Sequence, residues 1–380
     1  KLTLLVGTSG DTGSAAAEAV RGLDNINLFV LYPKRNFSAI TTIQERQMTV
    51  VSEKESNINC IAVEGGSDAL DVPIENLFHT DAKRLFLGSV NSVNIVRLIV
   101  QTVHYFHLYL KAFPNLDGGK MAFHVPSGAG GHLAAGLLAL EMGLPNCRLV
   151  AATNENGALH DFFQTRVLKR KPETRTVSPS MDICVPYNVW RMLYTVCPQS
   201  VGLMYKSFET TGNLCVPEKI MQKLRARVDS VCVSNESTLL AMRDCFEASE
   251  YVLDPHTAVG VASVSRSSKD EKTVCFACAH PVKFPQTVRD ALGKKRGNDV
   301  LKRMDKNHVC VDFVRNLASD LDPEKHPKCP PGCITILDAK SQDQWTSELR
   351  DVIETFLGIE KKQASFFLSV SASSVSSSPY

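Results

Sequence analysis

The sequence has almost no net charge. Its 42 lysines and arginines against 40 aspartates and glutamates leave +2 at neutral pH over 380 residues. That excludes long-range steering towards nucleic acid or an anionic membrane surface, and no Lys/Arg run restores it. No apolar stretch nears the roughly 20 residues a membrane helix needs. No secretory signal pattern opens the chain. The 12 cysteines lack a disulfide rhythm, which predicts free thiols in a reducing, cytoplasmic setting. A zinc site has two possible sources, the pair Cys275 and Cys278 and the group His326, Cys329 and Cys333. Their spacing is not that of a zinc ribbon, and Cys275 and Cys278 fall in an apolar run, 274–279, that reads as a buried strand. No metal is expected. The chain opens on Lys1 and runs straight into an apparent core strand, Leu2–Val6, which predicts a fragment of a longer protein.

What is present is a regular alternation of strands and helices, the pattern of an α/β protein with mainly parallel sheets. Strands are expected at Leu2–Val6, Asn27–Tyr32, Ile58–Val63, Met121–Val125 and Cys147–Thr153. Helices are expected from Ser14, over Ile43–Val51, over Asn94–Leu110 and over Leu133–Met142, the last stopped by Gly143 and Pro145. In Asn94–Leu110 the apolar positions Ile95, Leu98, Ile99, Val103 and Phe106 recur at helical spacing. With 44% hydrophobic residues the chain can bury two cores. The loop after Leu110 divides an N-terminal body, 1–110, from a C-terminal body, 111–360. The serine-rich stretch 361–380 reads as a disordered tail.

Chemistry concentrates in two strand–glycine loop–helix units. The first is Gly7-Thr8-Ser9-Gly10-Asp11-Thr12-Gly13-Ser14, the second Pro126-Ser127-Gly128-Ala129-Gly130-Gly131-His132. Glycines let the backbone turn tightly and bring amides close to a ligand. The following helix adds its unsatisfied N-terminal amides and positive dipole end, so each loop can cradle a phosphate or carboxylate. Neither is a G-x-x-x-x-G-K-[ST] loop. The second matches a dinucleotide loop in part, with Leu133 in place of the third glycine and Glu155 where a ribose-binding acid could lie. A nicotinamide dinucleotide site is therefore the rival reading.

Taken together, the segments resemble the threonine synthase family of fold-type II pyridoxal-phosphate enzymes, which share the tryptophan synthase β-like architecture. The resemblance rests on blocks that run in family order. These are 8–16, Ile43-Gln44-Glu45 with Gln47-Met48, and Asn91-Ser92-Val93-Asn94 with Arg97 and Gln101. The Pro126–His132 loop, Met142-Gly143-Leu144-Pro145, Ala152-Thr153-Asn154-Glu155-Asn156 and 178–183 follow. Asp254-Pro255-His256-Thr257-Ala258-Val259-Gly260, Ala279-His280-Pro281 and Lys283-Phe284-Pro285 close the series, and coverage reaches about Leu357. Features of the second loop, the stretch 181–188 and the late Trp345 with Leu349-Arg350-Asp351 are closer to the animal threonine synthase-like 2 branch. His132 departs from the family asparagine.

The resemblance implies pyridoxal 5'-phosphate as cofactor and a small phosphorylated amino acid as substrate. It implies a phospho-lyase that converts O-phosphohomoserine into 2-oxobutyrate, phosphate and ammonia, with threonine synthesis as the alternative outcome. The family's Schiff-base lysine lies in an H-G-P-T-x-A-F-K-D segment that this sequence does not contain, which predicts an inactive chain as it stands.

By the same resemblance Gly128, Ala129, Gly130, Gly131 and His132 hold the cofactor phosphate, and Thr257 meets the pyridine nitrogen. A neutral hydroxyl is not expected to keep that nitrogen protonated as a carboxylate would. Ser9, Gly10, Asp11 and Thr12 receive the substrate carboxylate, with helix capping as the other reading of Asp11. Asn91, Ser92, Asn94 and Arg97 form a polar cluster at a helix start, and Arg97 needs an anion, either substrate phosphate or a carboxylate partner. Asn188, Arg191 and Lys283 are further phosphate candidates. His256 and His280 could serve acid–base steps, though a satisfied core histidine is the simpler reading.

Overall fold

A computed structural model describes residues 1–8, 10–115, 118–266, 268, 270–304, 334–337 and 341–359. It contains two parallel sheets with helices packed on them. The first sheet comprises β1 (Leu2–Gly7), β2 (Ile26–Pro33), β3 (Ile58–Val63) and β4 (Leu87–Ser89). The second comprises β5 (Met121–Pro126), β6 (Cys147–Thr153), β9 (Val228–Cys232) and β10 (Lys272–Cys275), in the order β10-β5-β6-β9. Between them in sequence, β7 (Val167–Lys169) and β8 (Asn213–Cys215) form a separate antiparallel pair. A late strand, β11 (Ile334–Leu337), pairs with β3 and completes the first sheet in the order β11-β3-β2-β1-β4. Leu28, Phe29, Val30 and Leu31 are fully buried, as expected of a parallel strand covered on both faces.

The helices that matter for the site are α1 (Asp11–Val20), α2 (Thr42–Lys54), α3 (Asp71–Asp81), α4 (Ile95–Ala112) and α5 (Gly131–Glu141). Both loop helices begin earlier than the sequence pattern suggests. At α1, the Thr8 hydroxyl accepts the N–H of Gly10 at 2.9 Å and of Gly13 at 3.0 Å, which winds the chain into helix from Asp11. At α5 the helix takes in Gly131 and His132 directly after Gly130, whose φ of 76° is left-handed. The apolar run 274–279 is only partly strand. β10 stops at Cys275, because the amides of Cys278 and Ala279 turn away to Thr257 Oγ1 and Asp254 Oδ2.

Two elements pack across the division expected from the sequence. The helix α4, assigned to the first body, packs on α5, and its Leu98, Tyr105 and Tyr109 join the core of the second sheet. Its expected stripe is buried only in part, at Leu98 and, less fully, at Phe106. Ile95, Ile99 and Val103 are exposed, while Leu98, Thr102, Tyr105 and Tyr109 face inward, because this helix is apolar on more than one side. Conversely, β11 and the helix Gln342–Leu357, assigned to the second body, belong with the first sheet. Trp345, Leu349 and Ile353 share a core with Phe29, Ile61 and Leu77. The stretch 361–380 lies outside the described residues. Among them, no helix is long and apolar enough to cross a membrane.

Candidate functional site

Both glycine loops sit where a strand's carboxyl end feeds a helix, the position at which parallel α/β sheets bind ligands. In the second loop, Ser127 is anchored by its N–H to Ala152 O and its hydroxyl to Val125 O. No side chain caps α5, so its first-turn amides have no side-chain acceptor. Gly131 is needed for close approach, since a Cβ there would lie 2.6 Å from Ser92 Cβ. This contact brings the Asn91–Arg97 cluster onto the loop.

That cluster divides into structural and open members. Asn91 is spent on the backbone of Gly7, accepting its N–H at 3.0 Å and donating to its carbonyl at 2.6 Å. Asn94 caps α4 through the Val96 N–H. Ser92 meets Tyr187 Oη at 3.0 Å and accepts from Asn188 Nδ2 at 2.9 Å. Asn188 also donates to Ala129 O at 3.0 Å, while its own Oδ1 is buried without a hydrogen-bond partner. Arg97 reaches the Val90 carbonyl and Arg191 the Val93 carbonyl, yet neither forms a salt bridge among the described residues. Burial lowers both guanidinium pKa values, with Tyr187 opposing. Both cations act electrostatically on Tyr187, as does Asp71, and Asn188 reaches the loop before α5. Tyr187, which no motif singled out as a ligand, lies between them.

His132 does not turn its ring to this cradle. The ring lies 4.3 Å from that of Phe276 and 5.1 Å from that of Tyr105, centroid to centroid. Burial, followed by His104 and Arg97, lowers its pKa to about 4. At neutral pH it is an uncharged aromatic, and only its backbone N–H is offered to an anion.

At the first loop, Ser9 lies outside the described residues. Asp11 does not cap α1, because Gly10 holds the N-cap position and no side-chain cap forms. Its carboxylate takes Lys283 Nζ at 3.0 Å and the Ser180 hydroxyl at 2.6 Å. Lys283, expected near phosphate, is thus committed to Asp11. Thr12 follows in the first turn of α1. Gln44 donates to Ser180 Oγ at 3.1 Å, which joins the Ile43-Gln44-Glu45 block to this loop.

Ser180 carries the network across to the Asp254–Gly260 block. Its N–H is accepted by His256 Nε2 at 3.0 Å, and His256 Nδ1 lies 3.1 Å from Asp254 Oδ1. The ring proton is therefore on Nδ1, assigned from the partners. Both ring nitrogens are satisfied, the bland reading of His256. His280 Nδ1 accepts the Val282 N–H and caps a short turn. Asp254 is the residue the sequence reading passed over. It caps the helix Pro255–Ser263 through the His256 and Thr257 amides and accepts the Thr257 hydroxyl. Burial pushes its carboxyl up, but His256 and Thr257 outweigh that and hold it below the ordinary aspartate value. An aspartate directly before a proline is a recognisable helix start and was its only signal. Two other family blocks also meet. The buried Asn154 and Asn156 donate to Asp182 Oδ1 at 2.8 and 3.0 Å.

Glu155, the acid of the dinucleotide reading, accepts the Asn235 N–H at 2.7 Å and its side-chain amide at 3.0 Å. It is occupied by a helix start. Cys275 ends β10 and Cys278 lies in the following loop. His326, Cys329 and Cys333 lie outside the described residues, which contain no cluster fit to hold a metal ion.

Comparison with known proteins agrees with this geometry. Residues 1–279 match the family model "Pyridoxal-phosphate dependent enzyme", and 257–318 match "Threonine synthase, C-terminal". A threonine synthase-like 2 from Mus musculus is 38% identical over 332 residues, covering 83% of this chain and 66% of its own. A threonine synthase from Eremothecium gossypii is 35% identical over 317 residues, covering 77% and 60%. The solved pyridoxal-phosphate-bound threonine synthase from Brucella melitensis superposes with a TM-score of 0.73 at 27% identity, over 94% of this chain and 71% of that one. The chain thus spans about two thirds of the length of these relatives.

Proposed function

The chain belongs to the threonine synthase family of pyridoxal-phosphate-dependent enzymes, and from that premise we propose that the intact protein is a phospho-lyase acting on O-phosphohomoserine. Its products would be 2-oxobutyrate, phosphate and ammonia. The observation that carries a phosphorylated, zwitterionic substrate is the pairing of an uncapped glycine cradle with two half-buried arginines that form no salt bridge among the described residues. Partly buried cations of this kind favour an anion from outside the chain.

The residues present fit the cofactor. The amides of Gly128, Ala129, Gly130, Gly131 and His132 would hold its phosphate, and Thr257 would meet its ring nitrogen. When bound, pyridoxal phosphate supplies an electron sink for the charge left as substrate protons depart. Asn188 offers the ligand an unpartnered acceptor, and Ser92 and Tyr187 line its approach. Arg97 and Arg191 would receive the substrate phosphate, where their charge is worth most as the leaving group gains charge. Gly10 and Thr12 would present amides to the substrate carboxylate, with Asp11 neutralised by Lys283 so that it does not repel it.

The second-loop features and the stretch 181–188 favour the lyase, and the 35% identity to a fungal threonine synthase supports threonine formation as the second reading. Both need a covalent anchor for the cofactor, and the sequence contains no H-G-P-T-x-A-F-K-D segment. The chain on its own is therefore proposed to be inactive. The deciding experiment supplies that segment upstream and adds O-phosphohomoserine. Phosphate released with equimolar 2-oxobutyrate supports the lyase; threonine as main product overturns it.

A further inference from the structure

The Thr257 hydroxyl has its hydrogen-bond direction set by its neighbours. It donates to Asp254 Oδ2 and accepts the Cys278 N–H at 2.9 Å. Neither bond can reverse, since a carboxylate has no proton to give and an amide N–H cannot accept. Asp254 is 2% exposed and Thr257 5%, so water does not compete for these partners. Asp254 is itself held as an acceptor by the amides of His256 at 2.9 Å, Thr257 at 3.3 Å and Ala279 at 3.2 Å, and by His256 Nδ1 at 3.1 Å. A hydroxyl owns one proton and two lone pairs. With the proton and one lone pair engaged, Thr257 Oγ1 keeps one lone pair and nothing to donate.

Resting on the placement of Thr257 against the cofactor ring, we propose that Asp254 is a positioning residue that makes Thr257 an obligate acceptor, so that the site takes a pyridine cofactor with its ring nitrogen protonated. The ring N–H would donate to Oγ1, whose own hydrogen stays directed at Asp254; no proton changes owner. The sequence reading treated Thr257 as an isolated neutral hydroxyl, unable to favour the pyridinium form. A buried carboxylate behind it alters that, because polarised hydrogen bonds in series reinforce one another.

The test uses ring-15N-labelled pyridoxine 5'-phosphate, which has no aldehyde and needs no lysine. It is bound to the 380-residue chain and read by 15N NMR at a pH where the free probe is unprotonated. The expected signal in the parent is that of a pyridinium nitrogen. In Asp254→Asn the side-chain amide can donate to Oγ1, which frees the hydroxyl to donate to the ring, and the signal should move to the neutral pyridine position. In Thr257→Val it should move likewise. A neutral signal in the parent overturns the inference, as does a pyridinium signal retained in a folded Asp254→Asn or Thr257→Val that still binds the probe. If Asp254→Asn fails to fold, the parent and Thr257→Val decide. Failure of the parent to bind the probe removes the placement of Thr257 itself, a different result from binding with a neutral ring.

Discussion

Lys283 Nζ lies 3.0 Å from Asp11 Oδ1, which ties the turn after β10 to the first turn of α1 and so joins the two sheets at the candidate site. The side chains are 19% and 25% exposed, so the pair is partly screened. Burial pushes the Asp11 carboxyl up, but Lys283, His256 and Ser180 outweigh it and leave the pKa below the ordinary value. A depressed carboxyl contributes stability that is present above the unfolded pKa of about 3.9 and is lost as pH falls through the folded one. Asp11→Asn should therefore cost about 1–2 kcal/mol at pH 7, between the values for surface and buried pairs. The penalty should shrink from pH 7 to a pH below the depressed folded value, where the parent carboxyl is itself protonated. Urea unfolding at the two pH values checks this, and an equal penalty at both would remove the electrostatic account.

Arg97 and Arg191 lead to a second prediction. If both face an anion at the α5 start, Arg97→Met and Arg191→Met should each weaken binding of inorganic phosphate about tenfold, or about 1.4 kcal/mol. Calorimetric titration at low salt reads this directly. Arg170, whose guanidinium is paired with Glu209 at 2.7 Å, serves as the control, and Arg170→Met should leave phosphate binding unchanged. Loss of binding in the control alone would place the anion site elsewhere.

The strands were legible because each is a largely apolar run; Ile58–Val63 and Cys147–Thr153 have the expected bounds. The glycine loops were legible as strand–loop–helix units. What local pattern could not show was long-range. Nothing near Trp345 in sequence signals that its helix returns to the first sheet, and nothing near Asp254 signals that its carboxylate faces Thr257 rather than solvent. The surroundings of the His132 ring were hidden for the same reason, since its aromatic partners Tyr105 and Phe276 lie far away in the chain. Asp11 looked out of place beside an anion until Lys283, 272 residues on, supplied the compensating charge.

Two glycines should respond in opposite directions to the same substitution. Gly131→Ala places a Cβ 2.6 Å from Ser92 Cβ and 2.8 Å from Ser92 Oγ, so the cluster must move off the loop. It should cost about 1–3 kcal/mol, as overpacking does, and weaken phosphate binding with it. Gly202 lies within the helix Val201–Thr211, and a Cβ there meets nothing within 4 Å. Gly202→Ala should stabilise by about 0.4–1 kcal/mol, by restricting the unfolded chain and improving helix propensity. Thermal unfolding of both variants, with phosphate titration of each, separates them. A Gly131→Ala protein as stable as the parent would show that the Ser92 contact is not tight.

The helix Gln342–Leu357 offers the sharpest test of where the C-terminal part of the chain belongs. Trp345 is 6% exposed and its ring covers Gly65, where a Cβ would lie 2.7 Å from Cη2. Leu349 and Ile353 continue the buried face one and two turns on. The rim is ionic: Arg350 Nε meets Asp81 Oδ2 at 2.8 Å, and Arg84 bridges Asp81 and Glu354, each at 2.6 Å. Trp345→Ala removes the largest side chain of this contact and leaves a cavity beside Gly65, at a cost of about 3–5 kcal/mol. Phe356, 37% exposed at the end of the same helix, makes an edge contact with Phe29 at 5.3 Å between centroids. Phe356→Ala should cost about 1 kcal/mol, the ordinary size for a point mutation. Arg350→Ala removes one arm of the rim, and the loss should diminish in high salt, whereas the tryptophan loss should not. Urea unfolding of the three variants at low and high salt reads all of this. Equal costs for Trp345→Ala and Phe356→Ala would mean that the helix does not dock on the first sheet through its tryptophan face.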